Sequence, residues 1–203
     1  FEQQLKQGAL LVDTRDKLAF AGGHLKGAIN IPAGKSFSTW AGWLLPYDRD
    51  LILLAGPERV GELVKQLIRI GLDRVVGYIP GLEGYAQGEL ETVPQITAAQ
   101  AKALWEKGEA AILDVRGADE YQAAHIPGAQ NIHAGRVMNN LERIPKDKPV
   151  VVHCLGGDRS STAISALMGA GFTNLINLTG GIRAWQQEGF PIEKGSARDL
   201  VSA

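Results

Sequence analysis

The stretch Val150-Val151-Val152-His153-Cys154-Leu155-Gly156-Gly157-Asp158-Arg159-Ser160 holds the only cysteine in 203 residues. An apolar run ends at that thiol, and a short glycine-bearing loop and a helix-like segment follow directly. In this order backbone N–H groups can converge on the sulfur, and the positive end of the helix dipole faces it. Both effects favour a thiolate and can hold an anion bonded to the sulfur. The candidate carrier is therefore Cys154. The candidate cradle is the run of amides from Leu155 through Gly156, Gly157, Asp158 and Arg159 to Ser160. Gly156 and Gly157 permit the positive φ that such a cradle requires. Arg159, at the helix start, can add positive charge or pin the loop by hydrogen bonds. No general base is needed once the thiolate is itself the nucleophile. On a strand, alternation turns the His153 side chain away from that of Cys154. A lone cysteine is most often a small buried hydrophobe; here its setting argues for a reactive thiol, expected to be exposed at the mouth of its donors.

The elements that must position this loop emerge from an internal repeat of about one hundred residues. Leu11-Val12-Asp13-Thr14-Arg15 matches Ile112-Leu113-Asp114-Val115-Arg116, and His24-Leu25-Lys26-Gly27-Ala28 matches His125-Ile126-Pro127-Gly128-Ala129. Leu51-Ile52-Leu53-Leu54 matches Val150-Val151-Val152-His153, and Gly71-Leu72 matches Gly171-Phe172. Pro80-Gly81-Leu82 then matches Gly180-Gly181-Ile182. Five ordered matches predict two homologous domains, residues 1–91 and 92–203, joined near 89–97. In the second, 111–114, 150–153 and 175–177 are apolar or nearly apolar runs, as buried parallel strands are. Residues 160–171 place Ala163, Ile164, Leu167 and Met168 at helical spacing before a glycine stop. Strands alternating with helices predict an α/β fold in which each domain is a parallel β-sheet flanked by helices. Ligands of such sheets bind beyond the carboxyl ends of the strands, where the Cys154 loop falls.

Composition narrows the function classes. A net charge of −1 without long charged runs offers no footing for nucleic acid or a membrane surface. The apolar runs are too short to span a bilayer. A single cysteine excludes an intrachain disulfide framework, and the four histidines are too scattered for a metal site. A reducing cytoplasm fits best. The chain opens Phe1-Glu2-Gln3-Gln4-Leu5, with no methionine and no signal-peptide pattern, which predicts a fragment with sequence missing upstream.

Asp114-Val115-Arg116, Glu120-Tyr121, His125-Ile126-Pro127-Gly128-Ala129, the Cys154 loop with Arg159-Ser160, and Gly180-Gly181 together resemble the landmarks of a rhodanese domain. The resemblance covers nearly the whole second repeat. It implies a sulfurtransferase of sulfur metabolism, in which the cysteine takes a sulfane sulfur, becomes a persulfide and passes the sulfur to a thiophilic acceptor. Thiosulfate or glutathione persulfide would be the donor, and cyanide or thiols the acceptors; no cofactor is expected in this fragment. The C-x4-R loop has the length of sulfur-transferring rhodaneses, whereas phosphatases of the same fold carry one residue more. The alternative is a non-catalytic sulfur-relay or interaction module. Asp158 on the rim should repel dianionic thiosulfate, which predicts a preference for less charged or larger persulfide donors.

The first repeat reads Leu53-Leu54-Ala55-Gly56-Pro57-Glu58-Arg59: Ala55 stands at the cysteine position, the loop is one residue shorter, and Pro57 lacks an N–H. It cannot form a persulfide, so a structural role is expected. Its segment Lys35-Ser36-Phe37-Ser38-Thr39-Trp40-Ala41-Gly42-Trp43 resembles the insertion in degenerate rhodanese domains fused to a metallo-β-lactamase-fold hydrolase, similar to persulfide dioxygenases. That resemblance implies such an upstream domain. His24 and His125 recur in both copies, as do the Asp13/Arg15 and Asp114/Arg116 pairs. Recurrence in an inactive copy argues for packing and buried ion pairs over catalysis. Trp40 and Trp43 are expected as core or interface anchors, and Gly180-Gly181 as a tight turn before a helix over 182–188.

Overall fold

Apolar strands buried on both faces need helices above and below, and each half of the chain supplies its own. The computed structural model describes residues 1–85 and 90–195. Phe1–Val93 and Pro94–Ala203 form two separate units. The first holds α1 (Glu2–Lys6), β1 (Leu10–Asp13), α2 (Lys17–Gly22), β2 (Ile29–Asn30), α3 (Phe37–Leu44), β3 (Leu51–Leu54), α4 (Pro57–Ile68) and β4 (Val75–Ile79). Its sheet is parallel, in the order β2-β1-β3-β4. The second unit holds β5 (Gln95–Ile96), α5 (Ala98–Glu106), β6 (Ala111–Asp114), α6 (Ala118–Ala123) and β7 (Gln130–Asn131). Two 3-10 turns (Ala134–Asn139, Leu141–Arg143) lead to β8 (Val150–His153), α7 (Asp158–Gly169), β9 (Leu175–Leu178) and α8 (Gly181–Gln187). This sheet is also parallel, in the order β5-β9-β8-β6-β7. Both units are therefore the α/β layers expected.

Of the expected joint, Glu89 lies outside the described residues. Glu91 exchanges two backbone hydrogen bonds with His24 inside the first unit, and Val93 donates to the Ala21 carbonyl. Gln95–Ile96 already belongs to the second sheet. The pairing has an equivalent in the second unit, where Glu193 exchanges two bonds with His125.

In the second unit, α5 and α8 bring Ala98, Ala101, Ile182 and Trp185 over Ile112 and Val151 on one face of the sheet. Alternation turns Leu113, Val150 and Val152 to the opposite face. There α7 packs against β8 and β9. It is buried from Ser160 through Leu167, and only small or hydroxylated side chains allow so close an approach at Ser160, Ser161, Thr162, Ala163, Ser165 and Ala166. Hydroxyls within the helix bond back to it: Thr162 Oγ1 donates to the Asp158 carbonyl at 3.2 Å and Ser165 Oγ to the Thr162 carbonyl at 2.8 Å. The helix begins at Asp158, two residues before the expected apolar pattern, because Gly157 supplies its N-cap.

A polar frame recurs in both units. Arg116 forks onto Asp114 (Nε–Oδ1 2.9 Å, Nη2–Oδ2 2.5 Å) and also donates to the Ala124 carbonyl at 2.7 Å. Arg15 repeats this on Asp13 and the Gly23 carbonyl. Asn131 Nδ2 bridges the Asp114 and Arg116 carbonyls, as Asn30 does those of Asp13 and Arg15. His125 stacks on Tyr121 with ring centroids 3.8 Å apart, and His24 stacks likewise on Phe20. These are the packing and ion-pair roles expected. Of the two places expected for Trp40 and Trp43, the core is not theirs: both are half-buried, and α3 anchors its core through Phe37 and Ala41. The helical turn presents Phe37 and Ala41 on one face, with Trp40 at its flank and Trp43 turned further from it.

Asp114 is fully buried, so removing it would leave the buried Arg116 guanidinium without its counter-charge at the carboxyl end of β6. Asp114→Ala is expected to destabilise the second unit by about 3 kcal/mol or more, measured as a shift of its transition in denaturant unfolding.

Candidate active site

β8 ends at His153 and α7 begins at Asp158, so residues 154–157 carry the chain from sheet to helix. Gly157 turns the loop with φ 107°, a left-handed conformation that suits glycine. Its N–H points inward and donates to the Cys154 sulfur at 3.1 Å. Gly156 does not share that conformation, so one residue of the expected pair makes the turn. Ser160 places its hydroxyl 3.8 Å from the sulfur, 3.1 Å from the Gly157 carbonyl and 2.7 Å from Asn177 Oδ1. A hydroxyl has one proton, and the shortest of these bonds directs it to Asn177. Asn177 in turn donates through Nδ2 to Gln95 Oε1 at 2.8 Å.

The carbonyls of the same loop turn the other way. The Ile182 N–H donates to the Cys154 carbonyl at 2.9 Å, and the Arg183 N–H to the Leu155 carbonyl at 3.3 Å. His153 Nδ1 lies 3.2 Å from the Cys154 carbonyl and must be the donor, since a carbonyl only accepts. Gly181 makes the seating of α8 possible: a Cβ there would lie 2.4 Å from the Cys154 carbonyl oxygen. Opposite, Arg159 grips Glu120 with Nη1–Oε2 at 2.5 Å and Nη2–Oε1 at 2.7 Å. Each holds the other charged: Arg159 draws the Glu120 carboxyl below its ordinary range, and Glu120 raises the Arg159 guanidinium above its own. Arg159 thus pins the loop by tying the first turn of α7 to α6.

Cys154 is 2% exposed, against the expectation of an open thiol. The cause is the depth at which α7 sits, with the start of α8 closing over the loop carbonyls. Leu155 stands out at 40% exposure, while Gly156, Asp158 and Arg159 are half-buried. In the first unit Ala55 occupies the corresponding buried position and Gly56 alone separates it from Pro57, the first residue of α4. No thiol stands there, and Pro57 has no N–H to turn inward. Among the described residues, no group of three or more His, Cys, Asp or Glu side chains could hold a metal ion.

A model of the rhodanese-like domain matches residues 1–87 and again 97–188. The chain belongs to the rhodanese-like domain family. Thiosulfate sulfurtransferase GlpE from Pseudomonas savastanoi pv. phaseolicola is 35% identical over 92 residues, 45% of this chain and 86% of that protein. A solved rhodanese-related protein from Thermoplasma volcanium is similar over 49% of this chain and 97% of its own, at 29% identity and a TM-score of 0.46. Thiosulfate sulfurtransferase from Pseudomonas aeruginosa covers 96% of this chain at 26% identity and a TM-score of 0.48, and this chain spans 42% of it.

Several residues of this rhodanese site escape a reading of the loop alone. Glu120 lies 39 positions from Arg159, Gln95 82 from Asn177, and Gly181 on another helix. Signals for three of them stand in the sequence. Asn177 is a polar residue inside an apolar strand, and Glu120 and Gly181 stand in short motifs already singled out. His153 is a further case. It pairs in register with Asp114, where the first unit pairs Leu54 with Asp13. Its ring is fully buried, and Nε2 has no hydrogen-bond partner, lying 3.7 Å from Asp114 Oδ2.

Gly181 has φ 60° and no room for a methyl group, whereas nothing lies within 4 Å of a Cβ at Gly81. Gly181→Ala should therefore destabilise the second unit by about 2–3 kcal/mol and Gly81→Ala the first by under about 1 kcal/mol, read from denaturant unfolding. For His153, burial pushes the ring pKa down, outweighing the opposing pull of Asp114 and the Cys154 carbonyl. The folded chain keeps the ring neutral, and the unfolded chain protonates it below about pH 6.5. Its contribution to stability is thus complete above that pH and falls away as the solution is acidified. His153→Leu should leave stability at pH 7 within about 1 kcal/mol and flatten the loss between about pH 7 and 5. An unchanged pH slope in urea titrations would contradict this account.

Proposed function

We propose that the second unit is a sulfurtransferase in which Cys154 carries the sulfur. The observation that carries this reading is the inward Gly157 N–H, 3.1 Å from a sulfur at the head of a twelve-residue helix. The similarity to a thiosulfate sulfurtransferase over the length of one domain supports the same chemistry. In the first half-reaction the Cys154 thiolate attacks the sulfane sulfur of a donor. With thiosulfate, the S–S bond of the donor breaks and sulfite leaves with the electron pair. With an organic persulfide, the thiolate R–S⁻ leaves. Either way Cys154 gains one sulfur. An acceptor such as cyanide or a thiolate then attacks the outer sulfur, and the Cys154 thiolate is released unchanged. No net oxidant or reductant is consumed. The Gly157 N–H stabilises negative charge on the sulfur in both states, and the Ser160 hydroxyl can turn from Asn177 to add a second donor.

The first unit, with Ala55 in place of a thiol, is assigned a non-catalytic role. The resemblance of its 35–43 segment to an insertion found in fusion proteins supports an upstream metallo-β-lactamase-fold partner domain. No helix among the described residues is long and apolar enough to cross a membrane. A free thiol suits a reducing compartment, which supports a cytoplasmic setting.

The near-complete burial of the sulfur favours one other reading, a sulfur-relay or interaction module without turnover. Intact mass separates the two. Incubation with thiosulfate or glutathione persulfide should add one sulfur atom to the full chain and none to Cys154→Ser. Failure of both donors to label the unaltered protein would favour the interaction module.

A further inference from the structure

The 3-10 turns of the second unit line a cleft of about 650 Å³ together with Gly117, Asn131 and His133. Arg136, Asn140 and Arg143 contribute its polar wall, and none of its lining residues is acidic. Thiosulfate, with five non-hydrogen atoms, would fill a small part of it; clefts of roughly 300–1,000 Å³ take ligands of drug size. Asn140 organises the wall. Its Nδ2 donates to the Arg136 carbonyl at 2.8 Å, and its Oδ1 accepts from Arg143 Nη1 at 3.2 Å. His133 Nδ1 accepts the Gly135 N–H at 3.2 Å, so its neutral ring carries the proton on Nε2.

The cleft is coupled to the Cys154 loop. Gly117 in its wall donates to Glu120 Oε2 at 3.1 Å, and Glu120 is the carboxylate that Arg159 grips. His133 feels the charges of both Arg159 and Glu120. The first 3-10 turn also packs directly against α7. The first unit differs at the corresponding segment. The two repeats run together to Ala33-Gly34 and Ala134-Gly135, where Ala33 and Ala134 donate to the matching carbonyls of Thr14 and Val115. Beyond that point the first unit forms α3 with Phe37 and Ala41 in its core, and the one arginine of this connection, Arg49, donates to the Gly8 carbonyl. Arg136 and Arg143 thus lie in the segment where the unit with the thiol departs from the other.

We propose that this cleft binds the carboxylate-bearing body of a peptide-sized organic persulfide, with Arg136 and Arg143 taking its carboxylates and its sulfane sulfur directed to Cys154. The proposal deepens the sulfurtransferase reading by naming its donor class. Guanidinium groups match carboxylates bidentately, and their distance along the donor from the reacting sulfur leaves that end free. Asp158, beside the loop, disfavours a compact dianion at the thiol while leaving a donor whose charges lie in the cleft unaffected.

The test uses the full chain with Arg136→Gln, Arg143→Gln and both together. Sulfur loading of Cys154 is followed with glutathione persulfide, the persulfide of glutathione dimethyl ester, and thiosulfate. Each arginine removed should raise KM for glutathione persulfide roughly tenfold, with the ester and thiosulfate changing by less than about twofold. An equal loss with all three donors, or none with glutathione persulfide, overturns the proposal. A second measurement does not depend on turnover. Glutathione titrated into Cys154→Ser protein by calorimetry should bind saturably, and the double arginine substitution should weaken that binding at least about tenfold. Absence of saturable binding, or binding indifferent to the arginines, overturns it. Arginine-dependent binding without any sulfur loading would instead overturn the sulfurtransferase reading and leave the cleft assignment standing.

Discussion

The Cys154 carbonyl is pulled outward by two donors, the Ile182 N–H at 2.9 Å and the His153 ring at 3.2 Å. A peptide plane has two ends, so where the carbonyls of a tight loop are held out, its amides are free to turn in. The Gly157 N–H reaches the sulfur from the other side of the same short loop. Everything else at the site defends this arrangement. Gly181 lets α8 come close enough to hold the carbonyls, Arg159 ties the far end of the loop to Glu120, and Ser160 with Asn177 and Gln95 fixes the first turn of α7.

The two units show which polar residues belong to the fold and which to the chemistry. The Asp–Arg–Asn frame and the stacked histidine recur with nearly the same distances whether or not a thiol is present. They satisfy buried backbone groups at the ends of the strands, a requirement every such sheet has. The differences nearest the thiol lie at the carboxyl end of β3 or β8 and in the segment after β2 or β7. There Leu54-Ala55-Gly56-Pro57 stands against His153-Cys154 and its longer loop, and a helix stands against 3-10 turns. His153 marks the contrast most plainly. An apolar residue serves the same register position in the first unit, so the buried ring with its unsatisfied nitrogen is a cost borne only beside Cys154.

Much of this was legible before any coordinates. The repeat, the strands at 111–114 and 150–153, the loop and the inactive first copy follow from patterns within a few residues. The apolar runs, the glycines and the cysteine each state a local requirement of backbone or burial. For Trp40 and Trp43 aromatic size left core and interface both open, and the structure gives the buried positions of α3 to Phe37 and Ala41. Gly156 misled because adjacent glycines look alike in a sequence, and one left-handed residue suffices to turn the chain.

The sequence by itself determined two rhodanese-like domains, one with a thiol at a strand-to-helix loop and one without. The tertiary structure alone decided that the sulfur is covered, that α8 holds the loop carbonyls, that Arg159 meets Glu120, and that Arg136 and Arg143 share a cleft. The reason is range. Backbone conformation and strand burial are set by neighbouring residues, but exposure and ion pairing depend on which distant elements the sheet brings to one end.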